Sequence, residues 1–447
     1  MTRTDPREIA ALVSKAAAGM PCLVNAGAGE GVLVEVSRGR LARRESWSEG
    51  WVSLLLQCAP GMVGLASATL GPLPFNPEEF IARAKASARL LTTDPARNLP
   101  EHLEEVPLVD MGTHDAGWTD PTGEKALAAA LTLESAALDH PRVHSARKPT
   151  FEASEEELVC SLSGRVVASW RVSDFGLQVE VAAGRGRASE AGWASVESHR
   201  FSELDPLATG GEALLRAVEL LGARSPPSGA FPAIIDRRCA AEALELLSES
   251  LLADTHRKKT SLLKGALGKK VLSGRLTIVD DGALKGGPAT SPVDAEGTPT
   301  GRTVCVRGGR LKALLYDRAE AARQGVRSTG NAQGTGVCPP KPSPSNLYIQ
   351  NGDRAMADLP GSMGRGLVVR EILGFHTADP ISGDFSVGCS GFWVEGGAVA
   401  YPVSGAMISG NLLDLFARVE ETCDDFRFAG SFGSPSLLVG KLDIAAD

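Results

Sequence analysis

Ser390-Gly391-Phe392-Trp393-Val394-Glu395-Gly396-Gly397, running on into Ala398-Val399-Ala400-Tyr401-Pro402-Val403, is the stretch that decides the fold class. Two apolar runs, 391–394 and 398–403, flank a glycine pair, and glycine supplies the positive φ that a tight hairpin turn needs. Side chains alternate across a strand, so Phe392 and Trp393 point to opposite faces, leaving one to face a core and the other a partner. Similar short segments at 276–279, 303–306, 311–316 and 346–349 stand between Gly, Pro and Asp turns. Many short strands with few helices predict a mainly antiparallel domain, barrel- or sandwich-like.

Upstream of this region the pattern changes. Ser225-Pro226-Pro227-Ser228-Gly229 breaks every regular period and divides the chain into domains at 1–225 and 226–447. Before the break, Asp5 and Pro6 open an amphipathic helix on Ile9, Leu12, Val13 and Ala16 that Gly19 can end. Extended segments at 22–24, 32–36, 52–57 and 62–68 follow, then a helix capped by Asn76 with Glu79 at capping-box spacing. An Ala-rich helix over about 124–138 precedes strand-like segments at 158–163, 166–173 and 177–182, and a further helix spans about 212–221. After the break come a strand at 233–235 and a helix over about 240–253. The expected class is α+β: an N-terminal α/β domain with a mixed sheet flanked by helices, then the antiparallel domain.

The 447 residues are 43% hydrophobic and 22% charged, an ordinary globular composition. No run of 18 or more apolar residues occurs, so no membrane span is expected. The opening Met1-Thr2-Arg3-Thr4-Asp5 lacks the apolar core of a signal peptide, which places the expected location in the cytoplasm. Eight scattered cysteines without a C-x-x-C pair read as free thiols there. The formal charge of −8 argues against a nucleic-acid partner, whose phosphates demand a basic surface. Arg257-Lys258-Lys259 reads as a solvated helix end.

Most catalytic motifs fail on spacing. Gly27-Ala28-Gly29-Glu30-Gly31 lacks G-x-G-x-x-G spacing and leads into a strand, so it reads as a turn, not a phosphate cradle. Gly265-Ala266-Leu267-Gly268-Lys269-Lys270 lacks the first glycine and the Ser/Thr of a phosphate loop, and no G-x-S-x-G elbow occurs. The H-E-x-x-H motif is absent, since His140 and His144 stand at i, i+4 with Pro141 in the place of its glutamate. A metal site assembled from distant residues would have to draw on a set such as His376, Cys389 and Cys423, each more simply a core or surface residue.

The C-terminal third carries a specific resemblance. Pro344-Ser345-Asn346-Leu347-Tyr348, Asp379-Pro380-Ile381-Ser382-Gly383-Asp384-Phe385-Ser386, the 390–397 hairpin, Ala400-Tyr401-Pro402-Val403, Gly410-Asn411-Leu412-Leu413 and Gly433-Ser434-Pro435-Ser436-Leu437 stand in order. Together they resemble the TldD/PmbA family, also called the modulator of DNA gyrase family, and their wording is closer to its PmbA (TldE) branch. The resemblance implies a heterodimer in which a TldD-type partner holds zinc and cuts peptides. It makes Asn346, Tyr348, Asp384, Phe385, Ser386, Phe392 and Trp393 candidates for the substrate cleft or the partner interface, although plain structural use of each is the simpler reading. Asp384 in particular can bond backbone amides in its turn.

The TldD branch carries H-E-x-x-x-H near the start of the C-terminal domain and a cysteine ligand near the C-terminus. The matching segment here is Leu244-Glu245-Leu246-Leu247-Ser248-Glu249, and Ala429-Gly430-Ser431-Phe432-Gly433 offers no cysteine. Glu245 alone survives, as a relic or a surface residue. Ala240, Leu244, Leu247 and Leu251 form the buried stripe of an amphipathic helix, with Glu242, Glu245 and Glu249 on its solvated face. The leading expectation is therefore a subunit with no cofactor, no catalytic residue and no metal of its own. Its zinc is expected in the partner, its substrate is a peptide, and neither nucleic acid nor membrane is a partner. The alternatives are an enzyme with a rebuilt site on Glu245, Glu249 and His256, or a regulator of DNA gyrase or of toxin–antitoxin systems.

Overall fold

The computed structural model describes residues 5–71, 74–103, 105–107, 109–120, 122–186, 189–334 and 336–446; the opening residues 1–4 and the side chain of His376 lie outside the described residues. The chain is α+β, 23% helix and 42% strand. Its first half runs α1 (Pro6–Ala16), β1 (Cys22–Ser37), β2 (Arg40–Ala59), β3 (Met62–Leu70), α2 (Pro77–Leu90), α3 (Glu124–Ala137), β4 (Val143–Leu162), β5 (Arg165–Ala183), β6 (Glu190–Ser198) and α4 (Pro206–Glu219). The second half runs β7 (Gly229–Ile235), α5 (Arg237–Ser248), α6 (Ala253–Lys258), β8 (Ile278–Asp281), β9 (Arg302–Arg307), β10 (Arg310–Leu311), α7 (Arg318–Gln324), β11 (Ala332–Gln333), β12 (Lys341–Pro342), β13 (Leu347–Ile349) and α8 (Leu359–Met363). It ends with β14 (Gly366–Leu373), β15 (Asp384–Glu395), β16 (Ala398–Asn411), α9 (Leu412–Ala417), β17 (Val419–Thr422), β18 (Arg427–Ala429), β19 (Phe432–Ser434) and β20 (Leu437–Ala446).

The first sheet has the order β3-β2-β1-β4-β5-β6 and curls into a half-barrel. Every pair in it is antiparallel, where mixed directions were expected, because it consists of two hairpin meanders joined edge to edge through β1 and β4. On β1, Val24 and Ala26 pack with residues of α1 and α2, while Val34 and Val36 pack with residues of α3 and α4. These positions share parity, so all four helices lie on one face. On the other face Leu23 joins Leu55, Leu65 and Val293, so the second half of the chain packs there.

Gly27–Gly31 is no turn but the middle of β1. Its glycines alternate along one face, and β2 lays tryptophans across them. A Cβ at Gly27 would lie 2.5 Å from the Trp51 indole, and one at Gly31 would meet Trp47 more closely still. Missing side chains make room here for a neighbour's ring.

The helix expected at 212–221 begins earlier, at Pro206. Asp205 caps it by accepting the Ala208 N–H at 2.9 Å, and proline suits the first turn. The helix expected over 240–253 is α5, which also begins earlier because Asp236 accepts the Arg238 N–H at 3.1 Å. It tightens into a 3-10 turn at Glu249–Leu251 before α6. The expected strand at 311–316 shrinks to β10, with the rest of the segment packing Leu314 and Leu315 inward.

β16-β15-β14-β7-β20 closes on itself through β16–β20 pairing, giving a five-stranded barrel with β17 attached to β20. Only its β7–β14 pair is parallel. The opening hairpin is β15–β16, with Gly396 and Gly397 at φ +61° and +79° in its turn. Trp393 is fully buried against Phe231 at 5.1 Å, and Phe392 lies half-buried on the outer side. A second sheet of order β10-β9-β8-β13-β19-β18 carries α5 against its β19 end.

Candidate functional site

The topology that carries α5 out of the barrel also aims it at the first half of the chain. β7 runs parallel to β14 and leads directly into Asp236, whose carboxylate both caps α5 and accepts Arg370 at 3.0 Å. The helix buries Ala240, Leu244 and Leu247, with Leu251 of the following 3-10 turn continuing the stripe, and turns Arg238, Glu242 and Glu245 outward. Facing them are Trp193, Ser195 and His199 from β6 and the loop after it, with Glu212 and Arg216 from α4. The β18–β19 turn supplies Arg427, Ala429 and Gly430. Between these walls lies a cleft of about 640 Å³.

Its charges answer one another. Glu212 accepts Arg216 at 2.7 Å and Arg427 at 3.0 Å, and although burial works against ionisation, the two guanidiniums hold its pKa below the usual carboxylate range. Arg427 also donates to the Ser195 carbonyl at 3.1 Å. Arg238 stacks over Trp193 at 4.1 Å and sits 3.4 Å from Glu242. Burial raises the Glu242 pKa against that pairing, and Glu371 and Glu245 push it the same way.

His199 pins the floor. Its Nδ1 stands 2.8 Å from the Ser173 carbonyl and 3.0 Å from Asp174, and its Nε2 stands 3.1 Å from the Gly287 carbonyl. Every neighbour is an acceptor, so both nitrogens are satisfied only when both carry protons. Burial by itself lowers this pKa, but the Asp174 carboxylate and the two carbonyls outweigh it and raise it.

The second half of the chain, residues 228–446, matches the family model described as the PmbA/TldA metallopeptidase C-terminal domain. Metalloprotease PmbA of Escherichia coli O157:H7 is 28% identical over 324 residues, covering 72% of this chain and 70% of that one. The second half of the chain carries the C-terminal domain of the TldD/PmbA family. An uncharacterized protein of Methanocaldococcus jannaschii is 32% identical over 198 residues, 43% of this chain and 46% of that relative, so the chain spans about half of its length. TldE from Thermococcus kodakarensis shares the fold over 99% of this chain and 100% of its own, with a TM-score of 0.84 at 18% identity.

The two segments that the family resemblance marks, around Glu245 and around Ala429-Gly430, meet in this cleft. The donors present do not fit a zinc ion. Leu244 points into the core, Glu245 and Glu249 are exposed with only Glu245 lining the cleft, and Ala429 and Gly430 bring no side-chain donor. Among the described residues no cluster of three or more His, Cys, Asp or Glu is arranged to hold a metal. Cys389 lies in the barrel core and Cys423 in a separate cluster beneath Phe392, while the His376 side chain is outside the described residues. His256 lines no part of the cleft and meets the Ser250 carbonyl at 2.8 Å.

The other candidates separate. Asn346 is fully buried, accepting Ala289 N–H at 2.7 Å and donating to the Asp281 carbonyl at 2.8 Å. Tyr348 packs edge-on against Phe426 and Phe428 beneath the β18–β19 turn. Phe385 is buried against Phe375, Trp393 fills the barrel, and Phe392 borders a small hollow beside Trp193 and Arg216. Asp384 and Ser386 are exposed at the barrel end. Asp384 does not bond turn amides: it accepts Asn411 at 2.9 Å, while Asp379, earlier in the turn, takes the Ile381 and Ser382 amides. Sequence reasoning missed Arg238, Glu242, Trp193, His199, Glu212 and Arg427. The legible signal was Arg237-Arg238 directly after a capping Asp at a strand-to-helix junction.

Proposed function

We propose that this chain is a non-catalytic, PmbA/TldE-type subunit of a heterodimeric peptidase, acting in the cytoplasm beside a TldD-type partner that carries the zinc. The observation that carries the reading is the convergence of the two family-marked segments on one cleft without imidazole or thiol from either. A zinc peptidase needs a metal-activated water and a carboxylate to deprotonate it. Here the carboxylate at the family-marked position, Glu245, stands at the cleft edge, and the guanidiniums that line the cleft hold anions but activate no water. The cleft then serves to shape the substrate chamber, and the exposed barrel end at Asp384 and Ser386 serves as part of the contact surface. Two homologous chains pairing through equivalent faces form a pseudo-symmetric assembly.

The test is a peptide-cleavage assay with this chain alone, a TldD-type partner alone, and both together, paired with metal analysis of each. The expected result is cleavage that requires the partner and zinc confined to it. Cleavage by this chain alone, abolished by Glu245→Gln, would overturn the reading in favour of a rebuilt site.

A further inference from the structure

A second cavity, of about 370 Å³, lies between the halves of the chain on the opposite side of the first sheet from its helices. Leu55 and Leu65 of the half-barrel, with Leu91 and Leu99 of the segment after α2, form an apolar wall. The far side comes from the other half: Glu296, in a tight loop, and Arg318, the first residue of α7. The Arg318 N–H donates to Glu296 Oε2 at 2.8 Å, which holds the two residues side by side.

Their side chains are poorly matched by the protein. The Arg318 Nε is buried without a hydrogen-bond partner among the described residues. Arg97, the other cation at the rim, is already engaged by Asp94 and by the Pro340 carbonyl. Glu296 is buried, and burial, aided by Asp294 and Asp317, raises its pKa to about 7. The Arg318 charge offsets this only in part, and no cation among the described residues stands within ion-pair distance of Glu296; a buried guanidinium nitrogen without an acceptor and a buried carboxylate without a contacting cation are each costly arrangements. Both would be relieved by one ligand bearing an anion and a cation close together.

We propose that this cavity binds a free α-amino acid with a large apolar side chain, Glu296 taking its ammonium, Arg318 its carboxylate, and the leucine wall its side chain. An aliphatic amine would leave Arg318 unanswered. A fatty acid would bring its anion against Glu296. An amino acid carries both charges on one carbon and the hydrocarbon on the other side, which matches the arrangement of the walls. The site is distinct from the cleft and does not depend on the reading given to it.

The experiment is calorimetric titration of the full chain with L-leucine and L-phenylalanine, compared with leucinamide and N-acetylleucine. The expected result is saturable binding of leucine or phenylalanine, with leucinamide and N-acetylleucine each at least about tenfold weaker, the loss of one charge-assisted hydrogen bond. Arg318→Met and Glu296→Gln are each expected to weaken leucine at least about tenfold; the glutamine still accepts the Arg318 N–H. No binding of either amino acid overturns the proposal, as does binding of leucinamide or N-acetylleucine as tight as that of leucine, a comparison that needs no variant to fold. Binding unchanged in a folded Arg318→Met variant overturns it too.

Discussion

The cleft and the smaller cavity are both built between the same two halves of the chain, yet they treat charge in opposite ways. In the cleft Glu212 is answered by two arginines, Arg238 by Trp193 and Glu242, and His199 by Asp174 and two carbonyls. In the cavity Arg318 Nε goes unanswered among the described residues and Glu296 is pushed toward neutrality. Charges matched within the protein stiffen a wall; unmatched ones wait on pH or a ligand. The difference teaches that the cleft of this chain is held in shape by its own ion pairs.

The contrast breaks most visibly at Glu296. Its folded pKa of about 7 lies above the ordinary 4.5, so the protonated form is the one the fold favours. The stability this contributes is fully present below the unfolded pKa and is lost as pH rises through the folded one. Between those limits the loss is on the order of 3 kcal/mol. Glu296→Gln is expected to remove that fall, so that urea titrations at pH 4.5 and pH 8 show the variant gaining on the parent by about that amount; an equal fall in both would erase the contrast. Glu212→Ala acts on the matched side. It leaves Arg216 and Arg427 facing each other, half-buried, and should cost about 2 kcal/mol in urea unfolding, less than a fully buried triad because water reaches all three groups.

His199→Gln sharpens the comparison further, since this histidine joins the halves from within the matched region. Glutamine cannot donate to Asp174 and Gly287 together, and about 1 kcal/mol should be lost at pH 6. The raised pKa sets the sign: the contribution of the imidazolium is complete below its unfolded pKa and fades as pH rises through the folded one. The difference between parent and variant should therefore shrink at pH 9, and a difference that grows there would show that His199 is neutral.

How much of this was legible follows the physics of each element. The β15–β16 hairpin could be read because its glycine turn and alternation are local, and α5 because its stripe repeats at helical spacing. The Gly27–Gly31 run misled because the reason for its glycines, Trp47 and Trp51, sits on another strand. The cleft was invisible for the same reason: Arg427 finds Glu212 215 residues away, and no local pattern announces such a pair. Glu245 was singled out by resemblance, and its place at the cleft edge emerged only once α5 was packed.

That residue carries the smallest expected effect. In a metallopeptidase centre the glutamate following the first ligand histidine removes a proton from the metal-bound water, and its loss stops turnover. Glu245 follows Leu244, which is buried in the core, so no ligand stands beside it to hold a metal. It is exposed on α5 one turn from Glu242, the cleft carboxylate that Arg238 engages. Removing its charge takes one negative neighbour away from Glu242, which should favour that pairing slightly. Glu245→Gln in a complex with a TldD-type partner is thus expected to leave kcat within about twofold of the parent, a change of under about 0.5 kcal/mol in barrier. The corresponding substitution in the partner should abolish cleavage. A kcat that falls a hundredfold on changing Glu245 alone would place a working base in this cleft and end the contrast between a wall and a centre.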